Sequence, residues 1–198
     1  VIDALEVGSW EGNSMAWMAA HLSVGRIVCV DHFEGGEEHA ALDMPAVEQR
    51  FDANAALVKA ETAAGGRAVE IVKVRARSRE ALPILAATGQ RFDLVYIDGS
   101  HRSSDVLLDA AMAWATLKEG GLLCFDDASW HAQACPHFAQ DAAEGGHGFA
   151  QVWGGARAEG CSCPGRAIDA FLSAMQDEVV VVRRETQVWV EKRSGDST

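Results

Sequence analysis

Apolar positions along the chain switch repeatedly between two periods. Residues 3–7 form a short apolar run that ends at Gly8, and residues 13–22 then place apolar side chains at 15, 18, 19 and 22, a helical spacing. Residues 26–30 (RIVCV) are a β-rich run stopped by Asp31. Residues 45–64 have helical composition, opening at a proline that suits a first turn and closing at Gly65-Gly66. Residues 69–74 predict a strand and residues 78–87 a helix with Ser78 as its N-cap. Residues 92–97 (FDLVYI) predict the next strand, residues 104–117 a helix ending at Gly120-Gly121, and residues 122–125 a fifth strand.

Strands that alternate with helices imply parallel βαβ units with right-handed crossovers, and their nearly continuous apolar character implies helices on both faces of the sheet. The C-terminal part breaks this rhythm. After a helix over residues 167–175, residues 178–184 and 187–192 are two strand-like runs separated by Glu185-Thr186. That gap is too short for a helical crossover and predicts an antiparallel hairpin at the sheet edge. The expected fold class is therefore α/β, a seven-stranded, mostly parallel sheet in a single domain spanning residues 1–198. The Gly-, His- and Cys-rich stretch at 128–165 fits neither period and is read as an irregular insertion or lid.

Composition narrows the partners. With 17 Lys and Arg against 29 Asp and Glu the formal net charge is -12, a surface that repels phosphate backbones and anionic lipid, so neither nucleic acid nor a membrane surface is expected as a partner. A small neutral or cationic molecule is easier to hold. No apolar run is long enough to span a bilayer and no leader-like succession opens the chain. Starting at Val1, almost directly in a strand, the chain is expected to be truncated or processed. The five cysteines do not form a secreted disulfide pattern, and Cys29 and Cys124 fall within apolar runs, so a reducing, cytoplasmic setting is expected. Composition leaves a homo-oligomer open.

Ligands of open α/β sheets bind beyond the carboxyl ends of the strands. The first such end reads Glu6-Val7-Gly8-Ser9-Trp10-Glu11-Gly12-Asn13-Ser14. Its glycines allow a sharp turn and close approach to a ligand, and the following helix offers unpaired N–H groups. Asp31, nineteen residues beyond Gly12, ends the second strand and can accept both hydroxyl hydrogens of a ribose. A dinucleotide fold needs G-x-G-x-x-G; here only Gly8 and Gly12 are present, with Glu6 and Glu11 beside them. Two carboxylates disfavour a pyrophosphate and suit a sulfonium or ammonium. A purely structural strand-to-helix turn is the competing reading.

Glu6, Gly8 and Gly12 match the acidic-x-Gly-x-x-x-Gly motif of the class I S-adenosylmethionine-dependent methyltransferases, which the chain resembles over nearly its whole length. Trp10 replaces the glycine common at the middle of that motif. The resemblance implies a Rossmann-like fold and S-adenosylmethionine as cofactor. It implies that Glu6, Gly8, Ser9, Gly12 and Ser14 surround the methionine portion, that Asp31 holds the ribose with His32 beside it, and that Ser78 lies near the adenine.

Two further strand ends carry candidate chemistry. Asp98 ends the run FDLVYID, His101 lies three residues on, and Asp126-Asp127 end the run LLCFDD. If those strands are neighbours, three carboxylates meet at one rim, where they repel unless neutralised, and their oxygens suit a hard cation such as Mg2+. These segments resemble the small-molecule O-methyltransferases of the macrolide-sugar type and their cephalosporin-hydroxylase-like relatives, which carry Ile-Asp-Gly-x-His and a paired acidic motif after the next strand. The resemblance implies that Asp98, Asp126 and Asp127 ligate the metal, that Asp98 also contacts the cofactor, and that His101, with Asp98, carries catalysis as general base in methyl transfer to a small-molecule hydroxyl. Competing readings are that one of Asp126 and Asp127 caps the following segment, and that His101 only hydrogen-bonds within its loop. A non-catalytic cofactor-binding or scaffold protein, or a hydroxylase-like metal enzyme, would use the same fold.

His131, Cys135, His137, Cys161 and Cys163 have residue types suited to zinc but tighter spacings than usual zinc sites. Trp10, Trp130 and Trp153 are candidates for an acceptor pocket, with core or lid packing as the competing reading, while Trp17, Trp114 and Trp189 lie in regular elements and are read as packing residues.

Overall fold

The computed structural model describes residues 1–36, 39–129 and 163–195. The strands are β1 (Ile2–Val7), β2 (Val24–Asp31), β3 (Glu70–Arg75), β4 (Phe92–Ile97), β5 (Leu117–Phe125), β6 (Val179–Arg184) and β7 (Val188–Lys192). The helices are α1 (Asn13–His21), α2 (Met44–Ala64), α3 (Ser78–Ala87), α4 (Ser103–Trp114) and α5 (Pro164–Ala174). They build a seven-stranded Rossmann-like sheet in the order β3-β2-β1-β4-β5-β7-β6. β1 to β5 pair in parallel, and β7 runs antiparallel to both β5 and β6. The strand order reverses between β1 and β4, which places a cleft beyond their carboxyl ends.

Strand alternation sends side chains to two cores. Leu5, Val7, Val95 and Ile97 pack with Ala81 and Leu82 of α3, Val106 and Ala110 of α4, and Ile168 and Phe171 of α5. Ala4, Ile27, Cys29 and Leu94 pack with Met15 and Met18 of α1 and Phe51 and Val58 of α2. Glu6, next to Leu5 and Val7 in β1, therefore faces the α1/α2 layer although it is fully buried.

The predicted elements match the observed ones except in a few places. The helix predicted over 104–117 ends instead at Trp114, and Gly120-Gly121 lie inside β5. Leu117, 2% exposed, pairs with Phe92, while Leu94 pairs with Leu122. The intervening residues bulge out, with Gly120 at φ +70°, and a Cβ on Gly121 would come within 2.8 Å of the Lys118 carbonyl oxygen. The Leu117 side chain gains more from the core than one further helical turn would supply. The N-cap of α3 is Arg77, making Ser78 the first helical residue. Trp17 is 55% exposed and stacks on His21 rather than filling a core, whereas Trp114 is buried and donates to Glu178. The final part of the stretch read as irregular opens α5, where Cys163 is buried. His131, Cys135, His137, Cys161, Trp130 and Trp153 lie outside the described residues.

Candidate active site

Backbone pairing continues one residue past the strands and fixes the rim. The Gly8 N–H donates to Val30 O, the Asp98 N–H to Val7 O, and the Asp126 N–H to Ile97 O, at 2.8–2.9 Å. Gly8 has φ +86°, and a Cβ built on it would stand 2.2 Å from the Asp98 carbonyl oxygen. Only glycine lets the first loop and the Asp98-Gly99 turn pack backbone against backbone. Trp10, where a glycine is common, itself takes the left-handed conformation at φ +48° and lies against His39, ring centroids 4.4 Å apart.

The loop after β1 is held by Asp31. One carboxylate oxygen, Oδ2, accepts from the N–H groups of both Ser9 and Trp10 at 2.9 Å, and Oδ1 accepts from Phe33 N–H at 2.7 Å. Two of the expected loop carboxylates have different surroundings. Glu11 is turned outward, its carboxylate 2.6 Å from Arg50 of α2, so the pair of acids expected near the ligand reduces to Glu6. Glu6 accepts a hydrogen bond from the Ser14 hydroxyl, and burial pushes its carboxyl above the usual range. Its Oε2 and the Ser9 hydroxyl are buried without a hydrogen-bond partner among the described residues. Helix α1 begins at Gly12 with no side-chain cap. An unpartnered acceptor and hydroxyl beside uncapped N–H groups fit a ligand with an ammonium and a carboxylate, as the methionine portion of S-adenosylmethionine has. His32 accepts from the Glu34 N–H at 3.0 Å and is partly exposed. Ser78, the first residue of α3, lies beside the buried Asp109 of α4 and holds its carboxyl down against the effect of burial.

The second half of the rim is acidic. Ligand atoms of Asp98, His101 and Asp127 lie within 4.8 Å of one another, with His101 Nε2 3.0 Å from Asp127 Oδ2. Asp127 takes a left-handed backbone, φ +50°, which turns it away from the direction of Asp126. Burial, followed by the charges of Asp126, Asp127 and Glu6, pushes the Asp98 carboxyl up to about 7, with His101 pulling the other way. Like charges gathered around a half-buried acid fit a hard divalent cation, because the cation removes the repulsion that otherwise holds a proton there.

Asp126 is not part of that three-residue cluster. Its Oδ2 accepts from the Tyr96 hydroxyl and its Oδ1 from the Asp127 N–H. Burial and the Asp126 charge push the Tyr96 phenol up, so it remains a donor. Sequence reading passed over Tyr96, although it sits two residues before Asp98 in an extended strand and therefore shares its face.

A family model described as a methyltransferase domain matches residues 5–128. An uncharacterized protein of Acanthamoeba polyphaga mimivirus is 23% identical over 135 residues, covering 67% of this chain and 55% of its own length. Among solved structures, the MycE methyltransferase of the mycinamycin biosynthetic pathway, in complex with Mg and SAH, has a TM-score of 0.53 at 21% identity, covering 98% of this chain and 46% of its own. The O-methyltransferase TomG from Streptomyces achromogenes, involved in tomaymycin synthesis and in complex with SAM, has a TM-score of 0.59 at 16% identity, covering 97% of this chain and 73% of its own. The chain thus spans about half the length of the mimivirus and mycinamycin-pathway proteins.

Proposed function

The chain belongs to the methyltransferase domain family, and from that membership we propose that it is an S-adenosylmethionine-dependent methyltransferase that methylates a small-molecule hydroxyl with the help of a divalent metal, Mg2+ in the first instance. The observation that carries this reading is the junction at Gly8. There the loop suited to the methionine portion lies directly against the turn bearing Asp98 and His101. The MycE and TomG matches, proteins named for methyl transfer in the synthesis of small molecules, support the same acceptor class. The net charge of -12 argues against a nucleic-acid acceptor. Cys29 and Cys124 are buried as thiols within β2 and β5, which fits a reducing, cytoplasmic setting. No described helix is long and apolar enough to cross a membrane.

When bound, the cofactor supplies an electrophilic methyl group and the cation supplies positive charge near the acceptor oxygen. The chain's residues do the rest. Gly8, Ser9, Gly12 and Ser14 with Glu6 surround the methionine end. Asp31 shapes the loop and keeps lone-pair capacity toward the ribose, with His32 beside it. Ser78 closes the adenine side through the start of α3. Asp98 and Asp127 hold the cation, with Asp126 adjoining them. His101 takes the acceptor's hydroxyl proton, and Asp127, 3.0 Å away, orients the ring and stabilises the imidazolium that results.

Calorimetric titration with S-adenosylmethionine, followed by a methyl-transfer assay over sugars, phenols and hydroxy acids with and without Mg2+, tests the proposal. Micromolar cofactor binding with Mg2+-dependent transfer to one class is the expected result. Binding without transfer to any class would make the domain a cofactor-binding scaffold, and absence of binding would overturn the reading.

A further inference from the structure

Asp126 stands at the end of a directed hydrogen-bond chain that crosses three strands. Trp189 Nε1 of β7 donates to Gln187 Oε1 at 3.1 Å. Gln187 Nε2 donates to the Tyr96 hydroxyl oxygen at 3.3 Å, and that hydroxyl donates to Asp126 Oδ2. The order of donors is forced at both ends: an indole N–H can only donate, and an ionised carboxylate can only accept. Sheet register brings these groups together. Tyr96 pairs with Cys124, and Cys124 pairs with Trp189, so the three side chains stand in one row across β4, β5 and β7 beneath the rim. The Asp127 N–H occupies the other Asp126 oxygen at 2.8 Å, leaving the carboxylate held at both atoms.

We propose that Tyr96, oriented by Gln187, is a positioning residue for Asp126, holding that carboxylate beside the Asp98/His101/Asp127 cluster and thereby setting the site's affinity for a divalent cation. The inference rests on the metal-assisted reading above. A free Asp126 side chain has two rotatable bonds; a phenol donor on Oδ2 removes that freedom before a cation arrives. Groups that hold a metal-site carboxylate from behind typically contribute 10–100-fold in metal affinity. Because the chain contains a single tyrosine, the chain can be watched directly at this residue.

The test is calorimetric titration of the whole protein with Mg2+ alone, in wild type and in Tyr96→Phe, Gln187→Leu, Asp126→Asn and Tyr96→Phe/Asp126→Asn. Tyr96→Phe should weaken Mg2+ binding by roughly 10–100-fold and Gln187→Leu by a smaller factor. The double variant should bind no more weakly than Asp126→Asn, as expected if Tyr96 acts through that carboxylate. Protein labelled with 3-fluorotyrosine should give one fluorine resonance that moves on adding Mg2+ and stays still in Asp126→Asn. Wild-type affinity in both Tyr96→Phe and Gln187→Leu, or additive losses in the double variant, would overturn the positioning role alone. Failure of the wild type to bind Mg2+ would instead overturn the metal reading beneath it. Matched thermal melts separate either result from misfolding, and Gln187→Leu carries the test if Tyr96→Phe melts early.

Discussion

The two halves of the candidate site use carboxylates in opposite ways. In the loop after β1, Asp31 is surrounded by donors: three backbone N–H groups converge on its two oxygens. At the ends of β4 and β5, Asp98 is surrounded by other acids, and burial with their charge raises it to about 7. Around Asp31 the loop backbone is fixed before any ligand arrives, a preformed mould in which the Glu6 Oε2 and the Ser9 hydroxyl are left for the ligand. The second half is internally repelled and becomes stable by taking up positive charge. Which donors reach an acid, more than its place at a strand end, decides whether it shapes the backbone or waits for a partner.

Removing charge from the repelled half should affect chemistry most. His101→Ala is expected to lower turnover roughly 10²–10⁴-fold. Asp98→Asn should weaken Mg2+ binding at least as much as any neighbouring substitution, and His101→Ala should keep cofactor affinity within about threefold of wild type in calorimetry. A comparable loss of cofactor affinity in His101→Ala would erase the distinction between the halves.

In the preformed half, Asp31→Ala should cost about 2–4 kcal/mol of folding stability, since hydrogen bonds to a charged group contribute about 1.5–3 kcal/mol each and water replaces part of them. Cofactor affinity should fall with it. A denaturation midpoint indistinguishable from wild type would show that Asp31 is a ligand group only.

Asp109 sharpens the comparison from outside the site. It is 3% exposed, burial raises its carboxyl to about 6, and the hydroxyl of Ser78 is the donor that partly offsets this. An acid whose folded value exceeds its unfolded value binds more protons when folded, so this residue's contribution to stability is full below about 4 and declines as pH rises toward 6. Asp109→Asn is expected to flatten that decline and to raise stability at pH 7 by on the order of 2 kcal/mol, measured by urea denaturation across pH. Destabilisation at pH 7 would mean that the charged form is favoured there after all.

The smallest effect concerns Trp10. A non-glycine residue held at φ +48° is strained, so Trp10→Gly should be more stable than Trp10→Ala by about 1 kcal/mol, because both lose the contact with His39 but only glycine relieves the backbone. Equal melting temperatures would show that the loop adjusts around any side chain.

Much of this arrangement was readable along the chain because burial imposes its period on the residues. Alternating apolar strands and helices gave the layers, and Glu6, Gly8, Asp31 and Asp98 fell where strands end. What could not be read were choices decided by neighbours distant in sequence. The segment from Thr116 to Gly121 has the composition of a helix end, yet Leu117 is drawn into the sheet by Phe92. Glu11 resembles a ligand group until Arg50, 39 residues away, claims it. Asp126 and Asp127 look equivalent as a pair, but just past the end of β5 Asp127 takes a left-handed backbone that turns it away from Asp126, a choice the residue types do not display. Strand alternation does link Tyr96 to Asp98, so that residue was within reach of sequence reasoning.

The contact between Gly8 and the Asp98-Gly99 peptide has a bearing on how such a domain can change over generations or in the laboratory. Two segments some ninety positions apart share one van der Waals boundary with no slack, so neither can be exchanged for a homologous piece by itself. Chimaeras intended to redirect this domain toward a new acceptor will need to carry both turns together, and libraries that randomise only one of them will be depleted of folded members at position 8.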